Sequence, residues 1–201
     1  MINMIKQKKI FYLGFFIVWF LYFQYLEKNV SFFIPTNLSI DDRIPFLPVF
    51  IIPYLIWFVY VGITYLYFYK KDNDTFIKMA KFISIGMTIF LIICTFFPNG
   101  LDNFRIPIKD PSNLFETLTY YMQLHDTSTN VFPSMHVYNS LGVTIAICHY
   151  QGFKHKKMIR LFCIILCILI CLSTLFLKQH SLLDVFASGI LAISIYYLIY
   201  K

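Results

Sequence analysis

Long apolar runs divide this sequence, and each run is close to the length of a membrane-spanning helix. Five strongly apolar runs lie at about 10–26, 47–69, 79–97, 158–177 and 182–200, and a weaker run lies at about 134–150. A helix needs roughly 20 apolar residues to cross the hydrocarbon core of a bilayer. Of the 201 residues only 13% are charged, about half the share found in soluble domains. We therefore predict an all-α integral membrane protein with six transmembrane helices, forming a single membrane domain over residues 1–201.

The basic residues alternate between the two sides of these runs. Twelve of the 17 Lys and Arg residues lie in the N-terminal tail, the second-to-third connection, the fourth-to-fifth connection and the C-terminus. Lys and Arg concentrate in cytoplasmic loops, so this distribution predicts that both termini are cytoplasmic in a multi-pass protein of the cell membrane. The net charge of +7 then reflects topology, and we expect no nucleic-acid partner.

The longest outer connection, at about 98–133, is rich in Asp, Asn, Pro and Thr. Its apolar spacing predicts a short helix over about 113–124, with Ser112 as the N-cap. All five cysteines fall inside predicted spans, and three of them recur every four residues in the fifth run. Such a stripe is typical of packing side chains rather than of metal ligands, so we expect no metal site.

Two polar clusters lie at the outer ends of the spans, on one face of the membrane under this topology. Residues 130–136 read Asn-Val-Phe-Pro-Ser-Met-His, at the start of the fourth span, and residues 178–184 read Lys-Gln-His-Ser-Leu-Leu-Asp, at the turn before the sixth. Arg105 lies in the long outer loop nearby. The sequence therefore assembles two His, one Asp and two cations at one end of the bundle.

These residue types suit phosphoryl transfer without a metal or cofactor. His180 is the candidate nucleophile, forming a phosphohistidine that splits one hard step into two easier ones. Asp184, four residues on, lies on the same helical face and would orient the imidazole of His180. His136 would protonate the leaving oxygen and then activate water or an acceptor hydroxyl. The catalytic residues expected are therefore His180, His136 and Asp184.

Charge on a transferring phosphoryl group needs donors that are already in position. Arg105, Lys178 and Ser134 are the phosphate-binding residues we expect, and Asp126 and Asn130 are expected to brace the motif loop. Pro133-Ser134 and the Ser181-x-x-Asp184 pattern are both typical of helix starts, whose free amides would add to an anion site.

Pro-Ser-x-His followed by His-x-x-x-Asp on a six-helix membrane core resembles the type 2 phosphatidic acid phosphatase/haloperoxidase superfamily. The resemblance covers roughly residues 98–190, which we take as the catalytic motif region. It implies metal-independent catalysis on a lipid phosphate in the bilayer, with vanadate as a mimic of the transition state, and it assigns His180 as nucleophile and Asp184 as the orienting acid. The active site is then expected on the extracytoplasmic face.

The sequence departs from the family pattern at two cations. The first motif normally has a Lys seven residues before an Arg-Pro pair, whereas here Pro98 takes the Lys position and Ile106 separates Arg105 from Pro107. The third motif normally has Ser-Arg, whereas here the Arg position is Thr174. A branch with looser basic motifs includes inositol phosphorylceramide synthase, which acts on phosphodiesters that carry one negative charge fewer.

Several functions stay open from the sequence. The leading hypothesis is a lipid phosphatase, and the first alternative is a lipid head-group phosphotransferase of the inositol phosphorylceramide synthase type. A metal-dependent enzyme with two His and one Asp as ligands is another alternative, and a non-enzymatic membrane protein is the last. The lipid, the acceptor and the oligomeric state are also open at this point.

Overall fold

The computed structural model describes residues 2–201, with side chains from Ile5 onward. Over this range the chain forms seven α-helices: α1 Ile2–Lys28, α2 Ile51–Lys71, α3 Asn73–Phe96, α4 Leu114–His125, α5 Met135–His149, α6 Lys157–Phe176 and α7 Leu182–Tyr200. Short 3-10 helices lie at Ser39–Arg43, Pro48–Phe50 and Gln151–Phe153. Two short strands, β1 Ile34–Pro35 and β2 Asn99–Gly100, pair in parallel. The protein is thus mostly helical.

Among the described residues, α1, α2, α3, α6 and α7 are long and apolar enough to cross a membrane. This agrees with an all-α membrane protein. The weaker run at about 134–150 forms α5, whose 15 residues span only about 22 Å. It packs against α2, α3, α6 and α7, and its polar side chains Asn139 and Ser140 are buried there rather than facing lipid. Six spans and the orientation of the termini stay predictions.

The helix starts follow local capping chemistry. Ser134 caps α5 by accepting a hydrogen bond from the amide of Val137 at 3.4 Å. Ser181 and Asp184 form a reciprocal capping box at α7, as the Ser-x-x-Asp pattern predicts. Both predicted starts are confirmed. Helix α3 begins before its apolar run, because Asp72 caps it by accepting from the amide of Thr75 at 2.8 Å.

The predicted N-cap of α4 was wrong by one residue. The helix begins at Leu114, and its N-cap is Asn113, whose side-chain oxygen accepts from the amide of Glu116 at 3.0 Å. Ser112 instead donates its amide and its hydroxyl to the carboxylate of Glu116. Both residues favour helix starts, and the hydrogen bonds to Glu116 decide which one is the cap.

A close contact between α3 and α5 fixes the helix that carries His136. The Tyr138 ring stacks on Phe82 with centroids 5.0 Å apart, and its hydroxyl donates to the Phe82 carbonyl at 2.7 Å. A Cβ at Gly86 would lie 2.1 Å from the Tyr138 ring, so only glycine fits there. Tyr138 is fully buried, and it thereby holds the first turn of α5 in place.

Candidate active site

The two motifs meet at the starts of α5 and α7. His136 lies in the first turn of α5, His180 directly precedes the N-cap of α7, and their ring centroids are 5.8 Å apart. The Ser134 amide donates to the Asp184 carbonyl at 3.2 Å. The Ser188 hydroxyl also lies 2.8 Å from the carbonyls of both Ser134 and Asp184. These hydrogen bonds join the two helix starts and fix the two imidazoles relative to each other.

Asp184 lies behind His180. Its Oδ2 is 3.4 Å from Nδ1 of His180 and accepts the Ser181 amide at 2.8 Å. The Asp184 side chain is fully buried, and its other oxygen has no hydrogen-bond partner within the described part of the chain. Nδ1 is thus the ring nitrogen of His180 nearest the carboxylate, although it makes no hydrogen bond among the described residues.

Aromatic rings of α2 enclose His136. Tyr54 stacks on its imidazole with centroids 4.4 Å apart, and Trp57 contacts it at 4.3 Å. Nε2 of His136 is buried and has no hydrogen-bond partner among the described residues. Packing between rings therefore sets the orientation of this imidazole. Sequence reasoning missed Tyr54 and Trp57, because they lie about 80 residues away in the chain and carry no local motif.

Both imidazoles line one cavity of about 710 Å³, within the usual range of ligand sites. One wall is apolar and comes mainly from α1, α2 and α4; it includes Trp19, Phe20, Phe23, Leu55, Phe58, Leu118 and Met122. The polar lining residues are Arg105, His125, Asp126, Asn130, His136, Gln179 and His180. The site therefore combines a largely apolar lining with a set of polar side chains that includes the two motif histidines.

Arg105 reaches the cavity from the long outer loop, where Asp126 holds it. One guanidinium nitrogen donates to the Asp126 carbonyl, and another lies 3.8 Å from its carboxylate. The Tyr54 hydroxyl donates to the same carboxylate at 2.8 Å. Among the described residues that line the cavity, Arg105 is the only Lys or Arg. Asp126 thus positions the single cation of the site and offsets part of its charge.

Lys178 does not line the cavity, although it is only two residues from His180. Its ammonium donates to the Asp41 carbonyl at 2.6 Å and lies 4.6 Å from the centre of the Phe104 ring. Burial lowers the pKa of Lys178, against the opposing effect of Asp42 and Asp41. This environment is that of a structural cation.

Ser134 is also placed differently from a simple phosphate ligand. It is fully buried, and its hydroxyl accepts the Val137 amide as the cap of α5. Its contribution to the site is therefore through the helix start that carries His136. A direct phosphate contact from this hydroxyl stays a prediction.

The loop that leads into Pro133-Ser134-x-His136 is held by partners that the sequence did not reveal. Asn130 has a φ of 52°, a region that Asn tolerates better than most residues. Its side-chain amide donates to the Glu27 carboxylate at the end of α1. The Asn99 side chain accepts the amides of Val131 and Phe132 at 2.9 and 2.8 Å. The Asn130 side chain thus connects the motif loop to α1, and its role in bracing the site stays a prediction.

Within the described part of the chain, no three His, Cys, Asp or Glu side chains come together as a group that could hold a metal ion. The alternative ligand set of two His and one Asp is therefore not assembled as such. Asp184 faces His180 and Ser181, while His136 is held between aromatic rings.

The family model of the PAP2 superfamily matches residues 85–201, more than half of the chain. The chain belongs to the PAP2 superfamily. The matched segment contains His136, His180, Asp184 and Arg105. Membership of the PAP2 superfamily indicates activity of the phosphatase or phosphotransferase type. No curated protein and no solved structure matched the chain.

Proposed function

We propose that this chain is a membrane-embedded lipid phosphatase that hydrolyses a lipid phosphate ester through a phosphohistidine. The observation that carries the proposal is the joint placement of His136 and His180 in one largely apolar cavity, with Asp184 behind His180. His136 and His180 could therefore contact the same phosphate group, while Asp184 contacts His180. The PAP2 family match supports the same reaction class.

In the first step, Nε2 of His180 attacks phosphorus and the bond to the leaving alkoxide breaks. His136 donates its proton to that oxygen, so the lipid alcohol leaves neutral. In the second step His136 takes a proton from water, whose oxygen bonds to phosphorus as the bond to His180 breaks. Asp184 stabilises the positive charge on the His180 imidazole while it carries the phosphoryl group. The products are a lipid alcohol and inorganic phosphate.

The membrane arrangement belongs to the same proposal. If α5 also crosses the membrane, as the fourth of six spans, and the basic loops lie in the cytoplasm, both motifs lie at the extracytoplasmic ends of their helices. The cavity wall formed by Phe20 and Phe23 of α1 and Phe58 of α2 suits the apolar part of a lipid. The substrate would enter laterally from the leaflet, with its phosphate at the helix starts.

One observation favours a second candidate, the transfer of a lipid head group in the manner of the inositol phosphorylceramide synthase-like branch. Arg105 is the only cation among the described cavity residues, and Asp126 already pairs with it. A monoester carries more negative charge than this end of the cavity neutralises. A phosphodiester, with one charge fewer, matches it better.

Detergent-purified protein incubated with phosphatidate, an isoprenoid pyrophosphate and phosphatidylinositol, with chelator present, tests the proposal. We expect release of inorganic phosphate from at least one lipid, inhibition by vanadate and indifference to the chelator. Head-group transfer without free phosphate would support the second candidate instead. Activity that the chelator abolishes would favour a metal-dependent enzyme, and no turnover of any lipid would favour the non-enzymatic alternative.

Lys178 offers a sharp test of which cations bind phosphate. Because its ammonium is held by the Asp41 carbonyl, Lys178→Met is expected to lower the melting temperature by several degrees, about 2–4 °C for each kcal/mol lost. Vanadate inhibition should change by less than about threefold, roughly 0.6 kcal/mol. Thermal unfolding and vanadate titration check both effects. Arg105→Met is the comparison. If Lys178→Met weakens vanadate inhibition more than Arg105→Met does, Lys178 binds phosphate as predicted from the sequence.

A further inference from the structure

Gln179 is a buried cavity residue to which the reaction described above gives no role. It is only 1% exposed, and it lines the same cavity as His136 and His180. Its backbone amide and that of His180 both donate to the Thr174 carbonyl, at 2.9 and 3.1 Å. The side chain is therefore anchored at its base, directly beside the candidate nucleophile.

The orientation of the Gln179 amide follows from its one partner. Nε2 donates to the Leu177 carbonyl at 3.1 Å, and since a carbonyl can only accept, the nitrogen must be on that side. The side-chain oxygen Oε1 is left buried with no hydrogen-bond partner among the described residues. A buried acceptor without a partner is costly, so a donor that reached this oxygen with the substrate or solvent would relieve that cost.

The two half-reactions differ in whether they bring such a donor. The leaving oxygen in the first step is bonded to carbon and phosphorus and carries no hydrogen until His136 protonates it. The attacking water in the second step carries two. One is transferred to Nε2 of His136, which also has no partner among the described side chains, and the other needs an acceptor.

We propose that Oε1 of Gln179 accepts the second hydrogen of the attacking water and so makes Gln179 a specificity-determining residue for hydrolysis. This inference rests on the proposed phosphohistidine reaction. An acceptor alcohol has one O–H, which it gives to His136, and it has carbon where water has its second hydrogen. Water therefore gains a hydrogen bond in the second step that an alcohol does not, and the site favours hydrolysis over transfer.

The test measures how the phosphoryl group divides between water and an added alcohol. Wild type and Gln179→Met are given a lipid phosphate at a fixed, high glycerol concentration, and free phosphate and glycerol phosphate are both quantified. We expect the ratio of transfer to hydrolysis to rise about fivefold to tenfold, as for the loss of one hydrogen bond. The ratio compares two fates of one phosphoenzyme, so it is read independently of any change in how fast the variant forms that intermediate.

Gln151→Met is the matched control, since Gln151 is exposed just beyond the far end of α5, and it should leave the ratio unchanged. Gln179→Asn, which keeps an amide but withdraws its oxygen, should move the ratio in the same direction as Gln179→Met. Size-exclusion profiles and vanadate inhibition establish that each variant is folded. An unchanged ratio in folded variants, including no detectable transfer in any of them, overturns the inference. Wild type that makes neither product overturns the phosphatase proposal itself.

Discussion

His180→Ala is expected to lower phosphate release by about 10⁴-fold or more, because the variant lacks the atom that bonds to phosphorus. In the proposed reaction Asp184 orients this imidazole, with Oδ2 at 3.4 Å from Nδ1, and His136 transfers protons. The measurement is phosphate release from the preferred lipid, together with trapping of radiolabelled phosphoenzyme by an alkaline quench that preserves phosphohistidine. The variant should give no trapped label.

The control for this variant separates lost chemistry from lost structure. His155→Ala makes the same substitution at an exposed position in the connection between α5 and α6, and it should keep full activity. His180→Gln retains a polar side chain beside Asp184 and should be as inactive as His180→Ala while remaining folded. Phosphohistidine trapped in either His180 variant would show that another residue is the nucleophile.

His136→Ala should show a different pattern from His180→Ala, because its role is proton transfer. A lipid alkoxide is a poor leaving group, so turnover of a lipid substrate should fall about 10²–10⁴-fold. A nitrophenyl phosphate releases a leaving group that needs little protonation, and phosphoenzyme should still form from it. Equal losses with both kinds of substrate would argue that His136 holds the site together rather than transferring a proton.

Local sequence chemistry predicted the helix starts on which the site is built. Ser134 and Ser181 are caps because a short side-chain oxygen satisfies free amides in the first turn, a preference that acts within three or four residues. The error at α4 arose within the same few residues, because Ser112 and Asn113 are both suitable caps. Only their hydrogen bonds to Glu116 distinguish them. The prediction that His180 and Asp184 share one helical face was wrong, because His180 lies before the N-cap Ser181 of α7 and Asp184 reaches it across the capping turn, with Oδ2 3.4 Å from Nδ1.

Contacts between distant segments were not predictable in this way. The side chain of Lys178 is held by Asp41, 137 residues away, and Asn130 by Glu27, 103 residues away. No residue pattern near Lys178 indicates that its ammonium donates to the backbone carbonyl of Asp41. The aromatic partners of His136 on α2 likewise depend on how the helices pack. The motif histidines could be chosen from the sequence, whereas tertiary structure determines that Arg105 lines their cavity and that Lys178 does not.

Asp184→Asn is expected to lower kcat about 10²–10⁴-fold, as the loss of a carboxylate behind a catalytic imidazole does in other enzymes. The amide oxygen of Asn can still accept the Ser181 amide that Asp184 accepts at 2.8 Å, so the capping box is largely kept. What is lost is the negative charge that stabilises His180 while it carries the phosphoryl group. Steady-state kinetics and phosphoenzyme trapping measure the effect.

The stability of Asp184→Asn is the more decisive measurement. Asp184 is fully buried, and one of its oxygens has no hydrogen-bond partner in the part of the chain that the structure describes. A buried carboxylate with so few partners carries a large desolvation cost, so its removal should leave the melting temperature unchanged or higher. Ser181→Ala is the matched control, because it removes only the other half of the capping box and should cost about 0.5–2 kcal/mol of stability with activity retained.

If Asp184→Asn instead loses stability and activity in proportion, the carboxylate serves the fold. An inactive variant at least as stable as wild type would mean that this buried charge serves catalysis at the expense of stability.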